Sequence, residues 1–137
     1  MADYRLPNLN KVYMVGNLTK DPELKNTNNG TPVVNFRIAS DRRFKNNVGE
    51  WKEEVCYVSV VAWHKVAESC GQHLKKGDAV LVEGELQSRS WETDKGEKRS
   101  VIEIRAYRVQ FLNRKKTTEG EEVIMEETGE YLPEEQN

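Results

Sequence analysis

The chain is 137 residues long, which allows one domain with a modest hydrophobic core. Charged residues make up 32% of it and hydrophobic residues 36%, and no apolar run approaches the roughly 18 residues of a membrane-spanning helix. Membrane proteins are thereby excluded, and the first residues lack the pattern of a secretory signal. We expect a cytoplasmic protein in which Cys56 and Cys70 are buried, reduced thiols.

The net charge of −2 is unevenly distributed along the chain. Residues 1–112 carry 18 basic and 15 acidic side chains, a balance of +3, whereas residues 113–137 carry 3 and 8, a balance of −5. Acid confined to a tail does not exclude a nucleic-acid ligand for the body. We predict a folded domain over 1–112 and a flexible, disordered acidic tail over 113–137.

The first predicted strand covers residues 11–18 and is apolar on both faces. Val12, Met14 and Leu18 lie on one face, and Tyr13 and Val15 lie on the other. A small barrel covers its strands only from the inside, so the outer pair has no place in the core. We expect this pair to contact a second copy of the chain across a two-fold axis.

Turn-forming residues fill positions 25–32, and a second strand follows over 33–44. Its alternation directs Val34, Phe36 and Ile38 inward. Asparagine and glycine then predict a mobile loop before the third strand.

The third predicted strand has large aromatic residues at odd positions and mostly small apolar ones at even positions. It runs from Trp51 through Tyr57 to Trp63, so these three rings lie on the face opposite the core. Trp91 repeats the arrangement two residues after Arg89. Aromatic rings interleaved with basic side chains on a sheet surface are typical of sites for unpaired nucleic-acid bases.

After the third strand the apolar period becomes helical, which predicts a short amphipathic helix over 64–76. Alternation then resumes in strands over 79–91 and 98–112. Their predicted inward residues are Val80, Val82, Leu86, Ile102, Ile104 and Ala106. Three strands, a helix and two strands is the element order of the OB-fold, a five-stranded Greek-key β-barrel with one helix between strands 3 and 4.

Basic side chains accompany the aromatic ones around the second and third strands. A cluster of this kind is either a solvated surface or a path for phosphates. The candidate phosphate contacts are Arg37, Arg42, Arg43, Lys45, Lys52, Arg89 and Arg99.

The chain resembles the bacterial single-stranded DNA-binding protein family in four segments: NKVYMVGNLTKDPEL (10–24), NGTPVVNFRIAS (29–40), the stretch from Trp63 to LKKGD (74–78), and VEGELQSRSW (82–91). The resemblance covers residues 10–112. It implies an OB-fold that commonly forms homotetramers and wraps single-stranded DNA during replication, recombination and repair. It therefore implies a nucleoid-associated protein whose partners are DNA and further copies of itself.

The resemblance places the family's base-stacking aromatic residues on Phe44, Tyr57, Trp63 and Trp91. Strict alternation directs Phe44 inward, so it reaches a base only if a β-bulge intervenes at residues 41–43. Tyr57 and Trp63 share a face with Val61, which leaves a second hydrophobic layer or a subunit contact as the alternative. For Trp51, contact with the ligand and anchoring of the loop remain equal alternatives.

Enzymatic readings find little support in the sequence. His64 and His73 are nine residues apart, and no zinc spacing, glycine-rich phosphate loop or nucleophile elbow occurs. We expect no catalytic residue, no metal and no cofactor, and a metal-dependent nuclease is the enzymatic alternative.

Three non-enzymatic alternatives remain open. They are an adaptor that resembles primosomal replication protein N, an RNA-binding OB module and a purely structural interaction protein. The chain ends in Tyr-Leu-Pro-Glu-Glu-Gln-Asn, whereas family tails commonly end in Pro-Phe. Docking of protein partners through the tail is therefore uncertain.

Overall fold

The fold is that of a computed structural model, which describes residues 5–116 and 122–130, with side chains described as far as residue 112. Its elements in chain order are β1 (Val12–Leu18), β2 (Glu23–Asn26), β3 (Pro32–Lys45), β4 (Trp51–Trp63), α1 (His64–His73), β5 (Ala79–Glu92), β6 (Lys98–Lys116) and β7 (Glu122–Glu130). Within these residues no helix is long and apolar enough to cross a membrane.

Five strands close a barrel in the order β1, β5, β6, β4, β3. The last strand returns to the first through the pairs Asn17–Ala39 and Leu18–Ile38. The pairing of β4 with β6 is parallel, and the other barrel pairings are antiparallel. With α1 between the third and fourth of these barrel strands in chain order, this is the predicted OB-fold, which is confirmed.

The barrel core consists of the residues that alternation directs inward. Val34, Phe36 and Ile38 of β3 are buried as predicted. The barrel ends of the other strands are also buried on their inward face, at Leu18 of β1, Val60 and Ala62 of β4, and Val80 and Val82 of β5. Helix α1 covers one end of the core with three buried side chains, Val66, Ala67 and Cys70. The helix ends at His73, three residues earlier than predicted, and Leu74 after it is also buried.

The short strand β2 was not anticipated, and the prediction of a turn from residue 25 is wrong for residues 25 and 26. Glu23–Asn26 pairs antiparallel with β3, in the register Glu23–Asn35. All four side chains of β2 are exposed, so the segment has no apolar alternation by which a strand could be predicted.

Two pairs of strands extend beyond the closed barrel as two-stranded arms. We call them the β3–β4 arm, residues 40–45 with 51–56, and the β5–β6 arm, residues 88–92 with 98–102. Among the described residues each arm strand pairs only with its hairpin partner, and the face that continues from the core is exposed at Cys56 and Ile102.

The arms explain why three residues predicted to be buried are exposed. Cys56 lies in the β3–β4 arm, and Ile102 lies in the β5–β6 arm with Leu86 at its base. Each side chain has the predicted orientation, but the core does not extend to its position. The prediction of a buried thiol is therefore wrong for Cys56 and confirmed for Cys70.

A β-bulge changes the alternation of β6 at Tyr107. Glu83 pairs with Arg108 and Gly84 pairs with Ala106, which leaves Tyr107 without an opposite residue. The inward positions after the bulge are therefore Val109 and Phe111, both buried. A Cβ atom on Gly84 would clash with the carbonyl oxygen of Arg105, so glycine permits the close approach of the two strands here.

Strand β6 continues past the predicted domain boundary at residue 112 to Lys116. Strand β7 pairs antiparallel with it, from Arg108–Glu130 to Lys116–Glu122. Part of the segment predicted to be a flexible tail therefore has strand backbone, whereas residues 117–121 and 131–137 lie outside the described residues. The division of the chain at residue 112 stays a prediction.

Candidate nucleic-acid interface

The outward residues of β3, β4, β6 and β5 form one continuous sheet surface, which we call the outer face. Its strands are aligned by the pairs Arg37–Ser59, Val61–Arg105 and Gln87–Glu103. Side chains at these positions point away from the core because successive residues of a strand alternate between its two faces. The outer face comprises Val33, Asn35, Arg37, Ala39, Tyr57, Ser59, Val61, Trp63, Glu85, Gln87, Arg89, Trp91, Arg99, Val101, Glu103 and Arg105.

Two aromatic rings of the outer face each lie against an arginine. The guanidinium carbon of Arg37 is 4.9 Å from the centroid of the Tyr57 ring, and that of Arg89 is 5.0 Å from the Trp91 ring. Both rings are exposed, at 56% and 44% respectively. A cation on one side of a ring restricts its orientation and places positive charge beside the surface on which a base could stack.

The outer face continues along one side of the β3–β4 arm. There Trp51 is exposed. The centroid of its ring lies 5.0 Å from the guanidinium carbon of Arg43 and 5.3 Å from Nζ of Lys45. Trp63 lies at the opposite end of β4, in the barrel, and is half-buried beside Val61. Val61 is almost fully buried, so this end of the face is more apolar than the arm.

Phe44 lies on the opposite face of the arm from these rings. The register of β3 with β4 is unbroken from Val33–Trp63 to Lys45–Trp51, so the bulge that would turn Phe44 outward is absent. The half-buried Phe44 ring is 4.7 Å from Arg42 instead. The alternation also places Lys52 on this second face.

Five of the seven predicted phosphate contacts form ion pairs with carboxylates of the same chain. Four of these pairs join exposed partners: Arg42–Glu54 at 3.6 Å, Arg43–Glu53 at 3.8 Å, Lys52–Glu50 at 3.4 Å and Arg99–Glu97 at 2.8 Å. Exposed pairs of this kind stabilise a protein by about 0–1 kcal/mol, so a phosphate can displace the carboxylate at little cost. The fifth pair, Arg89–Glu103 at 3.2 Å, has a buried carboxylate.

Glu103 is a residue of the outer face that sequence reasoning did not identify. Its Oε1 atom accepts hydrogen bonds from Gln87 and Arg89, both at 3.2 Å. In the sequence it is an ordinary polar residue between Ile102 and Ile104, where alternation predicts exposure to solvent. Its burial arises from strands β4 and β5 on either side, which are distant in sequence.

A cleft of about 600 Å³ adjoins the outer face at its barrel end. The segment Leu6–Lys11 forms one wall, and Glu85, Arg105 and Tyr107 form the other. Asn10 holds the segment by exchanging two hydrogen bonds with the backbone of Leu86, at 2.8 and 2.9 Å. The hydrogen bond and charge interaction with Tyr107 raise the pKa of Lys11, whose Nζ lies 5.1 Å from the Tyr107 ring. Sequence reasoning missed this cleft because the segment has no regular apolar pattern.

No metal site is evident in the part of the chain that the structure describes, where no three histidine, cysteine or acidic residues form a group able to bind an ion. Burial raises the pKa of the Cys70 thiol to about 12. This thiol lies in the core, away from the outer face.

The sequence matches the model of a family described as the single-strand binding protein family, over residues 9–112. The chain is similar to single-stranded DNA-binding protein 2 of Chlorobaculum tepidum, with 57% identity over 112 residues that cover 81% of this chain and 76% of the relative. The single-stranded DNA-binding protein of Aquifex aeolicus is 43% identical over 125 residues, which cover 91% and 82% of the two chains. The fold is similar to a Plasmodium falciparum SSB in complex with ssDNA, with a TM-score of 0.68, 26% identity and coverage of 75% and 90%.

Proposed function

Since the chain belongs to the single-strand binding protein family, we propose that it binds single-stranded DNA by stacking unpaired bases on the rings of the outer face. As a member of this DNA-binding family, the chain is not an enzyme. The observation that carries the proposed mode is the placement of Arg37 on Tyr57 and Arg89 on Trp91 on one sheet surface. Every base has a π-face, so this mode has little sequence preference.

Stacking energies set the scale of binding. Each base stacked on an aromatic ring contributes about 1–3 kcal/mol, so Tyr57, Trp63 and Trp91 together offer roughly 3–9 kcal/mol before the cost of ordering the strand. Trp51 extends the same path along the β3–β4 arm. Phe44 contributes only where the strand passes around the edge of that arm. Duplex DNA binds poorly in this mode because its bases are already stacked on each other.

Phosphate contacts supply the remaining binding energy. Arg37, Arg43, Lys45, Arg89 and Arg99 share the outer face with the stacking rings, whereas Arg42 and Lys52 serve a strand that bends around the arm. Salt weakens the binding of single strands. The slope of log K against log salt is about −0.7 for each phosphate contacted. Each carboxylate displaced by a phosphate takes up a cation from solution. We therefore expect a slope shallower than the number of phosphate contacts implies.

The chain also acts as a homo-oligomer in this proposal, and as a tetramer by analogy with the family. The support is the first strand, whose residues Val12–Gly16 pair with β5 on one side and, among the described residues, with no strand on the other. Tyr13 and Val15 are exposed beside this open edge. An open strand edge with apolar side chains favours pairing with an identical strand across a two-fold axis.

Sedimentation tests the assembly. We expect a species several times the 15.8 kDa mass of one chain at micromolar concentration, and we expect Tyr13→Asp to release folded monomers. A wild-type chain that sediments as a monomer contradicts this part of the proposal.

Titration of intrinsic tryptophan fluorescence tests the binding mode. We expect oligo-dT to quench the emission strongly, and we expect duplex DNA of equal charge to quench it weakly. Preference for matched RNA oligomers would favour the RNA-binding alternative, and absence of any response would favour a structural interaction protein. In the proposed function the protein coats single-stranded DNA in replication, recombination and repair at the nucleoid.

A further inference from the structure

A buried carboxylate lies at the centre of the outer face. Glu103 is 2% exposed and is the one buried charged residue among those whose side chains the structure describes. Gln87 of β5 lies opposite it, and the Val60–Ile104 register places Ser59 of β4 on its other side. A negative charge beneath a surface that receives phosphates opposes their binding, and burial of a charge is itself costly. We therefore expect the contacts of this carboxylate to provide a benefit that outweighs the opposed phosphate binding and the cost of burial.

The contacts of Glu103 lead directly to a stacking ring. Its Oε1 atom accepts a hydrogen bond from Nε of Arg89, and the same guanidinium lies 5.0 Å from the centroid of Trp91. The side chain of Glu103 is 3% exposed, and that of Arg89 is 56% exposed. Within the described residues the two terminal amines of Arg89 donate no hydrogen bond, so only the inner edge of the guanidinium is occupied.

We propose that Glu103 is a positioning residue for single-stranded DNA binding, which holds Arg89 against Trp91 and directs its terminal amines toward a phosphate. The proposal rests on the proposed function of the outer face. The planar guanidinium can accept a carboxylate at Nε while its terminal amines bind a second anion. Arg89 thus contributes to the binding of base and phosphate together, with its orientation already fixed before DNA arrives.

The burial of Glu103 distinguishes this ion pair from the exposed ones. The side chains of Arg43 and Glu53 are 63% and 74% exposed, so either partner can turn into solvent when a phosphate competes. Glu103 cannot turn into solvent, and loss of its partner would leave an uncompensated buried charge. The pair with Arg89 therefore persists in the complex.

The first test needs no DNA. In a variant whose only tryptophan is Trp91, made by W51F and W63F, Glu103→Gln removes the charge but keeps an oxygen acceptor. We expect lower steady-state fluorescence anisotropy of Trp91, because a neutral amide oxygen holds the Arg89 guanidinium more weakly than a carboxylate does and so restricts the ring less. Glu85→Gln is the matched control. Glu85 is a carboxylate of the same face, and its pair with Arg105 is the next outward pair after Gln87–Glu103. This variant should leave the anisotropy unchanged. Unchanged anisotropy in folded Glu103→Gln overturns the proposal.

The second test measures binding of a labelled dT oligomer in the chain that retains all three tryptophans. At high salt, where screening removes the general effect of the lost charge, Glu103→Gln should weaken binding about two- to fivefold, the equivalent of an exposed cation–π contact. At low salt the loss should be smaller, because removal of a negative charge favours phosphates. The effect should disappear in an Arg89→Ala background, and persistence of the full effect there overturns the proposal.

A third variant decides the matter if Glu103→Gln does not fold. Arg89→Lys keeps the positive charge but lacks Nε and the planar group, so it should lower the anisotropy of Trp91 while leaving the salt dependence of binding nearly unchanged. Wild-type anisotropy in Arg89→Lys overturns the proposal. If wild-type protein fails to bind oligo-dT, the proposed function is wrong, and the DNA-free anisotropy still shows whether Glu103 positions Trp91.

Discussion

The closed barrel and the two arms are built from the same alternating strands but differ in what covers their faces. In the barrel, one face of each strand is buried against four other strands and α1. In the arms both faces meet solvent, and exposed ion pairs and cation–ring contacts replace apolar packing. Stability therefore resides mainly in the barrel, while the arms can carry large aromatic rings for a ligand with little cost to folding.

The two cysteines give the largest expected contrast between these regions. Burial raises the pKa of the Cys70 thiol to about 12 and shields it from reagents, whereas Cys56 is accessible on the β3–β4 arm. We expect a thiol reagent to modify Cys56 rapidly and Cys70 only after denaturation, as resolved by mass spectrometry of the modified peptides. Equal rates in the native protein would contradict the assignment of Cys70 to a closed core.

The same thiol predicts a loss of stability in alkali. The pKa of Cys70 is raised from 9.0 to about 12, so the unfolded chain releases this proton at lower pH than the folded chain does. The contribution of the protonated Cys70 thiol to the free energy of unfolding is fully present below pH 9.0 and is lost as the pH rises toward about 12. Chemical denaturation across this range, with Cys70→Ala as the control, should show the part of the loss that depends on the thiol.

Truncation of isoleucines should separate the regions by stability. Ile38 is fully buried in the barrel, so Ile38→Ala should lower the free energy of unfolding by about 2–5 kcal/mol. Ile102 is 66% exposed in the β5–β6 arm, and Ile102→Ala should change that free energy by less than about 0.5 kcal/mol. Urea denaturation of both variants measures the difference, and equal costs would show that the arm has a core of its own.

Removal of tryptophans should separate the regions by binding. Trp91→Ala and Trp63→Ala should each weaken single-stranded DNA binding by about 1–3 kcal/mol. Because Trp91 is in an arm and Trp63 is half-buried in the barrel, only Trp63→Ala should also lower the melting temperature. Variants that bind as wild type but unfold more easily would show that both rings are structural.

The smallest expected effect concerns two neighbouring carboxylates of the β3–β4 arm. Glu53 pairs with Arg43 on the face of Trp51, and Glu54 pairs with Arg42 on the opposite face. Glu53→Gln should strengthen binding at low salt by up to about 1 kcal/mol, because Arg43 no longer has a competing partner. Glu54→Gln is the matched control and should have less effect. Titrations with labelled oligo-dT that rank the two variants in the reverse order would place DNA on the other face of the arm.

Local alternation sufficed to predict the five barrel strands, the helix and most of the barrel core, because orientation along an unbroken strand depends only on sequence position. It did not predict β2 or the inward position of Val109 and Phe111 after the bulge in β6. Val34, Phe36 and Ile38 are buried for this reason, and Tyr57, Trp63 and Trp91 share the outer face for the same reason. The family resemblance added Phe44, which the unbroken register leaves on the other face of the arm. The stacking and phosphate roles of these residues stay predictions.

Along unbroken strands the sequence by itself determined which way each side chain points, and the tertiary structure decided what lies opposite it and where the bulge at Tyr107 changes the alternation. Leu86, Ile102 and Cys56 have the orientation that their positions predict, but they are exposed to solvent because the strands extend beyond the closed barrel. Glu103 points outward and is nevertheless buried. Orientation is a local property of the backbone, whereas burial depends on strands brought together from distant parts of the chain, and no pattern within one strand contains that information.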